Sequence, residues 1–209
     1  MLYESRSYAL HPGKLPEYLA AFGGDAEVLA ILARRLAGFW ITESGQLNGV
    51  QHLWRYENRA ARAAARAAMA GEPAMGRFFS KVTPLLQTQH SRLLAGQIAQ
   101  GNATRTGGVY DRVRLVLRPD AGAAGERLAD VLYATLARHF EPVANLRDRM
   151  FESAGPLTEA LFVLRSASLD ERDHQWAEAN PTLRELDGLG TLAKFQSELV
   201  LPAAFSPWR

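Results

Sequence analysis

The sequence predicts an α+β fold: two tandem ferredoxin-like βαββαβ units whose antiparallel sheets face each other as a barrel, with the helices outside. Three observations lead there. The first half reads strand, helix, strand, strand, helix, strand, which within about a hundred residues is the split βαβ pattern. The same signals recur in the second half at offsets of 107 to 110 residues. One strand of the second half, Thr158 to Arg165, is apolar on both faces, so its sheet needs cover on the side away from its helices as well. Closure of the barrel within one chain or between chains is left open by these signals.

Residues 2–10 alternate as a strand, placing Leu2, Glu4, Arg6, Tyr8 and Leu10 on one side, and His11-Pro12-Gly13 ends it. Leu15, Tyr18, Leu19 and Phe22 recur at helical spacing until Gly23-Gly24 interrupts. Asp25 is the N-cap of a second helical piece with its stripe on Leu29, Leu32 and Leu36. Gly38 to Glu43 is a strand, Ser44-Gly45-Gln46 turns the chain, and Asn48 to Tyr56 returns. Asn58 caps the helix Arg59 to Ala70, Glu72-Pro73 breaks it, and a short helical piece spans Met75 to Val82. Leu85 to Leu94 closes the unit.

In the second half Leu117-Arg118-Pro119 lies 107 residues after Leu10-His11-Pro12, which sets Tyr110-Asp111 on Tyr3-Glu4. At an offset of 110, Gly155-Pro156-Leu157 falls on Gly45-Gln46-Leu47, Arg165 on Arg55 and Arg172 on Arg62. Ser168 falls on Asn58 and forms a capping box with Glu171. Asn180-Pro181 matches the break at Glu72-Pro73, and Lys194 to Leu201 is the closing strand. The expected organisation is a first unit over residues 1–96, a linker over 97–107 and a degenerate second unit over 108–209.

Composition excludes several classes. The chain has no cysteine, which removes disulfides, thiolate metal ligands and thiol nucleophiles together. A formal charge of +2 is too small to imply a nucleic-acid partner. No secretory signal and no span of roughly 18 uninterrupted apolar residues is visible, so a cytoplasmic protein without a membrane span is expected. Histidines 11, 90, 139 and 174 lack the paired helical spacing of a zinc site, so no metal and no cofactor is expected. Arg59, Arg62 and Arg66 share one helical face, read as solvated rather than phosphate-binding.

Candidate chemistry gathers on two strands. Glu4, Arg6 and Tyr8 share a face of the first, and Asn48, Val50, His52 and Trp54 share a face of the third. If both faces look into the barrel, His52, Glu4 and Arg6 are candidates for proton transfer and anion anchoring, with Tyr8, Trp40, Asn48 and Trp54 around a ligand. The competing reading is a buried Glu4–Arg6 pair with His52 hydrogen-bonded in the core, holding register between the sheets.

The first half resembles the NIPSNAP family. The resemblance is carried by Tyr3-Glu4-Ser5-Arg6-Ser7-Tyr8, Pro12-Gly13-Lys14, Gly38-Phe39-Trp40, Gly45-Gln46-Leu47-Asn48 and His52-Leu53-Trp54 with Tyr56, in that order. It implies the dimeric α/β-barrel fold and a tandem chain in which only one half keeps the polar set. In the other half Arg6, Tyr8, Asn48, His52 and Trp54 become Val113, Leu115, Thr158, Phe162 and Leu164. Relatives sharing only that barrel include cofactor-free monooxygenases, haem-degrading enzymes and small isomerases, an analogy at the level of fold. The expected function is binding of a small aromatic or anionic molecule in the barrel cavity of the first unit, as a binding protein or cofactor-independent enzyme. The alternative is a structural module acting through self-association. A homo-oligomer is the expected state.

Overall fold

The structure, a computed structural model, describes residues 1–99, 107–151, 154–187 and 190–208. Its contacts divide the chain into two compact units, Met1–Leu93 with Pro202–Arg209, and Leu94–Leu201.

In the first unit β1 (Leu2–Leu10) is followed by α1 (Leu15–Gly23), α2 (Ala26–Ala33), β2 (Leu36–Ser44) and β3 (Gly49–Tyr56). Then come α3 (Arg59–Ala70), α4 (Pro73–Val82), one 3-10 turn and the start of β4 (Leu86–Ile98). The strands β1 and β2 both pair antiparallel with β3, which lies between them. Tyr8, Leu10, Val50, Trp54 and Phe39 on the sheet pack with Tyr18 and Phe22 of α1, Val28 and Leu32 of α2, and Met75 and Phe78 of α4. The breaks between helices follow from local chemistry. The Asp25 carboxylate accepts from the amides of Glu27 (3.0 Å) and Val28 (3.2 Å), starting α2, and Pro73 opens α4, where its missing N–H costs nothing. At Gly23 an added Cβ would lie 2.4 Å from the ring of Phe205, which stacks on Phe22 with centroids 4.9 Å apart.

The second unit comprises β5 (Val109–Leu117), α5 (Gly122–His139), β6 (Glu141–Phe151), β7 (Ala154–Ser166), α6 (Leu169–Asp187) and β8 (Leu192–Pro202). Its antiparallel sheet runs β8, β5, β7, β6, and the end of β4 adds to β6 through Ala95 to Ile98. Residues 160–164 of β7 are buried on both faces, as their composition predicts. Where the first unit uses two short helices at each position, this one uses a single long helix. Pro181 lies inside α6 instead of breaking it, a correction to the expectation drawn from Pro73. A proline there gives up the hydrogen bond that its nitrogen would have donated to the carbonyl four residues back, and its ring crowds that carbonyl. Strand β4 extends to Ile98, into the expected linker, of which residues 100–106 lie outside the described residues.

Candidate functional site

Register places the candidate residues opposite one another: Glu4 faces Trp54, Arg6 faces His52 and Tyr8 faces Val50. Five of them join into one network. Arg6 donates from Nε to Glu4 (2.9 Å) and from Nη1 to the Tyr8 hydroxyl (3.0 Å). The Tyr8 and His52 rings meet edge to face at 4.7 Å, and Trp54 Nε1 donates to His52 Nδ1 at 2.8 Å.

This network looks toward the helices, not away from them. Glu4 is bound by Arg62 of α3, Tyr8 packs on Tyr18 of α1, and both His52 and Trp54 pack on Phe22. The geometry in which these side chains line the other face of the sheet is therefore corrected. Two further candidates are elsewhere. Trp40 pairs with Gln51, so it shares the opposite face with Gln51 and Ser7, and its indole lies over Gly38, where a Cβ would come within 2.0 Å. Asn48 belongs to the turn before β3: its φ of 55° is the left-handed conformation that asparagine tolerates, and its carbonyl accepts from the Leu10 amide at 2.9 Å.

His52 is fully enclosed by Tyr8, Phe22, Phe39 and Trp54 and is 3% exposed. Burial, with the Arg6 charge nearby, pushes its pKa down to about 3. Its Nδ1 is occupied by Trp54, so at neutral pH it is a neutral hydrogen-bond acceptor in the core. That hydrogen bond runs within β3, between residues two apart.

Glu4 is likewise buried. Burial alone would raise its pKa, but hydrogen bonds from Arg62, the Arg6 charge and the Ser91 hydroxyl outweigh it and hold it at about 2. Arg62 Nε and Nη2 donate to its two oxygens at 2.8 and 2.7 Å, Ser91 donates at 2.8 Å, and Arg66 Nη1 stands 3.6 Å away. Arg62 is thus drawn in to the carboxylate rather than solvated. Three guanidiniums surround one carboxylate and leave an excess of two positive charges.

Beside this excess opens a pocket of about 250 Å3. Arg6 and Tyr8 of β1, Arg66, Met69 and Ala70 of α3, and Phe79 and Val82 of α4 line it, and Thr83 with Leu86 and Gln89 of β4 completes it. Arg6 and Tyr8 are the two sequence candidates that reach it. Arg66, Met69 and Phe79 were missed because two separate helices, α3 and α4, bring them together. Arg62 carried a signal, its register match with Arg172.

The second unit repeats part of this arrangement. Asp111 accepts from Arg172 Nε and Nη2, both at 2.8 Å, and from the Ser197 hydroxyl at 2.8 Å. What it lacks is the rest of the set: 110 residues after Arg66 stands Trp176, packed against Phe140 at 5.0 Å. Among the described residues no cluster of three His, Asp or Glu side chains is placed to hold a metal, and no helix is long and apolar enough to cross a membrane.

Antiparallel sheets with helices packed on one face define the chain as an α+β protein. Along 98% of its length it is similar to the solved structure of a provisionally assigned monooxygenase from Lactobacillus acidophilus, with a TM-score of 0.62 over 97% of that chain and 11% identity, a likeness of fold alone. Residues 3–96 match the NIPSNAP family model, and the chain belongs to the NIPSNAP family. It is 41% identical over 71 residues to human NipSnap homolog 3A, a match covering 34% of this chain but only 28% of that protein's length. Against mouse NipSnap homolog 3B the identity is 25% over 219 residues, covering 98% of this chain and 85% of that protein.

Proposed function

We propose that the first unit binds a small organic anion in the pocket beside Arg6, Tyr8 and Arg66. The observation that carries this is the three-to-one ratio of guanidiniums to carboxylate at the edge of a cavity with apolar walls. Arg62 and Arg6 are held by Glu4, which fixes their positions without cancelling their charge. Arg66, with its side chain 46% exposed, supplies the mobile contact. His52 and Trp54 hold Tyr8 and Arg6 in place from behind. A neutral, enclosed imidazole supports binding over catalysis as the work of this site.

The two halves have the same order of elements and the same carboxylate clamp. We read them as copies of one ferredoxin-like unit in which the second gave up the pocket. Self-association without a ligand is the second reading, favoured by an open apolar groove of about 710 Å3 beside Leu19, Leu29, Ile41 and Phe205.

One titration separates the two. Benzoate and hexanoate are expected to raise the thermal midpoint of the full chain in proportion to the logarithm of their concentration, and Arg66→Gln is expected to move the rise to about tenfold higher concentration. Equal midpoints with and without anion, together with a concentration-dependent dimer in sedimentation, would overturn the anion reading in favour of self-association.

A further inference from the structure

We infer that the anion taken by this pocket is a monocarboxylate of up to about eight carbons, head included, with an unbranched or single-ring apolar tail. The inference rests on the anion-binding reading above and narrows it to a chemical class. Charge comes first. Arg6 and Arg62 already donate to Glu4 at 2.7–2.9 Å, so Arg66, 3.6 Å from it, is the guanidinium with donors to spare. One such group suits a single carboxylate and falls short of what a polyphosphate needs.

The neighbouring polar groups suit the same head. The Tyr8 oxygen accepts from Arg6 Nη1, which leaves the Tyr8 O–H to donate, and the Gln89 amide lines the same pocket. A carboxylate accepts from all three donors. The remaining walls are Met69, Ala70, Phe79, Val82, Leu86 and Thr83, of which all but the threonine offer only apolar contact to whatever follows the head. The volume of about 250 Å3 lies below the range of drug-sized pockets, roughly 300–1,000 Å3. A methylene needs about the room of a water molecule in the liquid, roughly 30 Å3, which sets the limit near eight carbons.

The experiment is calorimetric titration of the full chain with acetate, butyrate, hexanoate, octanoate and dodecanoate at fixed pH and ionic strength. The dissociation constant is expected to fall about fourfold per added methylene up to about eight carbons and then level off. Arg66→Gln is expected to weaken every member by one common factor, about tenfold. Phe79→Ala, at a residue already 41% exposed, is expected to flatten the chain-length slope and leave acetate unchanged. Arg66-dependent binding of equal strength from acetate to octanoate would overturn the tail while leaving the anion site standing. Affinities that rise with chain length but are unchanged by Arg66→Gln, with 1-octanol binding as tightly as octanoate, would overturn the carboxylate head and the anion site with it. No Arg66-dependent binding by any member would overturn this inference and the proposed function together.

Discussion

In the first unit Glu4 takes two hydrogen bonds from Arg62 and one from Ser91; in the second Asp111 takes two from Arg172 and one from Ser197. Both carboxylates are about 1% exposed at the side chain, and both tie the helix after the third strand of their unit to the first strand. Beyond this clamp the two differ. Arg6, Tyr8, His52, Trp54 and Arg66 of the first unit correspond to Val113, Leu115, Phe162, Leu164 and Trp176. The clamp of Glu4 and Arg62 has its counterpart in the second unit and so does not distinguish the two. The residues that differ are where function is to be sought. The second unit is not wholly plain, however: on the opposite face of β5, Arg112 pairs with Glu198 at 3.2 Å and Arg114 with Glu159 at 2.7 Å.

Cutting the clamp is the largest test of this comparison. Arg172→Met leaves Asp111 buried with only the Ser197 hydroxyl among its described partners, at an expected cost of about 3–5 kcal/mol in denaturant unfolding. Arg62→Met leaves Glu4 with Arg6 at 2.9 Å, Ser91 at 2.8 Å and Arg66 at 3.6 Å, so about half that loss is expected. Equal losses would mean that Arg6 and Arg66 do not share the carboxylate's charge, and the excess of cations argued for the pocket would have to be redrawn.

Acid comes next in size and acts on the first unit through His52. Its pKa is about 3 when folded against 6.5 ordinarily, so between those values the unfolded chain binds the proton more readily. The stability linked to keeping His52 neutral is complete above pH 6.5 and is lost as pH falls toward 3. By pH 5 the expected loss is about 2 kcal/mol. Glu4, lowered from 4.5 to about 2, adds its own loss only below pH 4.5, so the window from pH 6.5 to 5 isolates the histidine. His52→Gln keeps an acceptor for Trp54 and does not titrate. Its unfolding free energy is expected to stay level across that window, and a slope as steep as the parent's would remove His52 from the account.

Much of this was legible in the residues. Alternation along β1 and β3 was enough to put Glu4, Arg6, Tyr8, His52 and Trp54 together. Alternation fixes which side chains share a face but not which way the face looks, and here both faces carry polar groups: Ser5, Ser7 and Gln51 on one, Glu4 and Arg6 on the other. The helices were therefore found on the side where a cavity was expected. Arg62 and Arg66 sit in a helix built of alanine apart from them, Arg59 and Met69, and an arginine there looks solvated until a buried carboxylate on a strand is known. Adjacent residues alternate across a strand, which separates Trp40 from Phe39 and places it away from His52. The pocket is set by how α3 and α4 lie on β1 and β4, information that no local pattern contains.

The smallest effect is also the most local. Asn58 Oδ1 accepts from the Ala61 amide at 2.9 Å at the start of α3, and Ser168 Oγ accepts from the Glu171 amide at 3.1 Å at the start of α6. In the second unit Glu171 reaches back to the Ala167 amide at 3.0 Å, one residue before the cap, so its capping box is shifted by one position. Asn58→Ala and Ser168→Ala are each expected to cost about 1 kcal/mol in denaturant unfolding. Glu171→Ala is expected to cost less, because the Ala167 amide is exposed and water replaces the lost carboxylate. These caps precede Arg62 and Arg172 by one helical turn and fix the rotation that aims each arginine at its carboxylate. A double variant, Ser168→Ala with Arg172→Met, should therefore lose less than the sum of its parts. Strict additivity would mean that the helix is oriented by its buried face alone and that the caps in register are coincidental to the clamp.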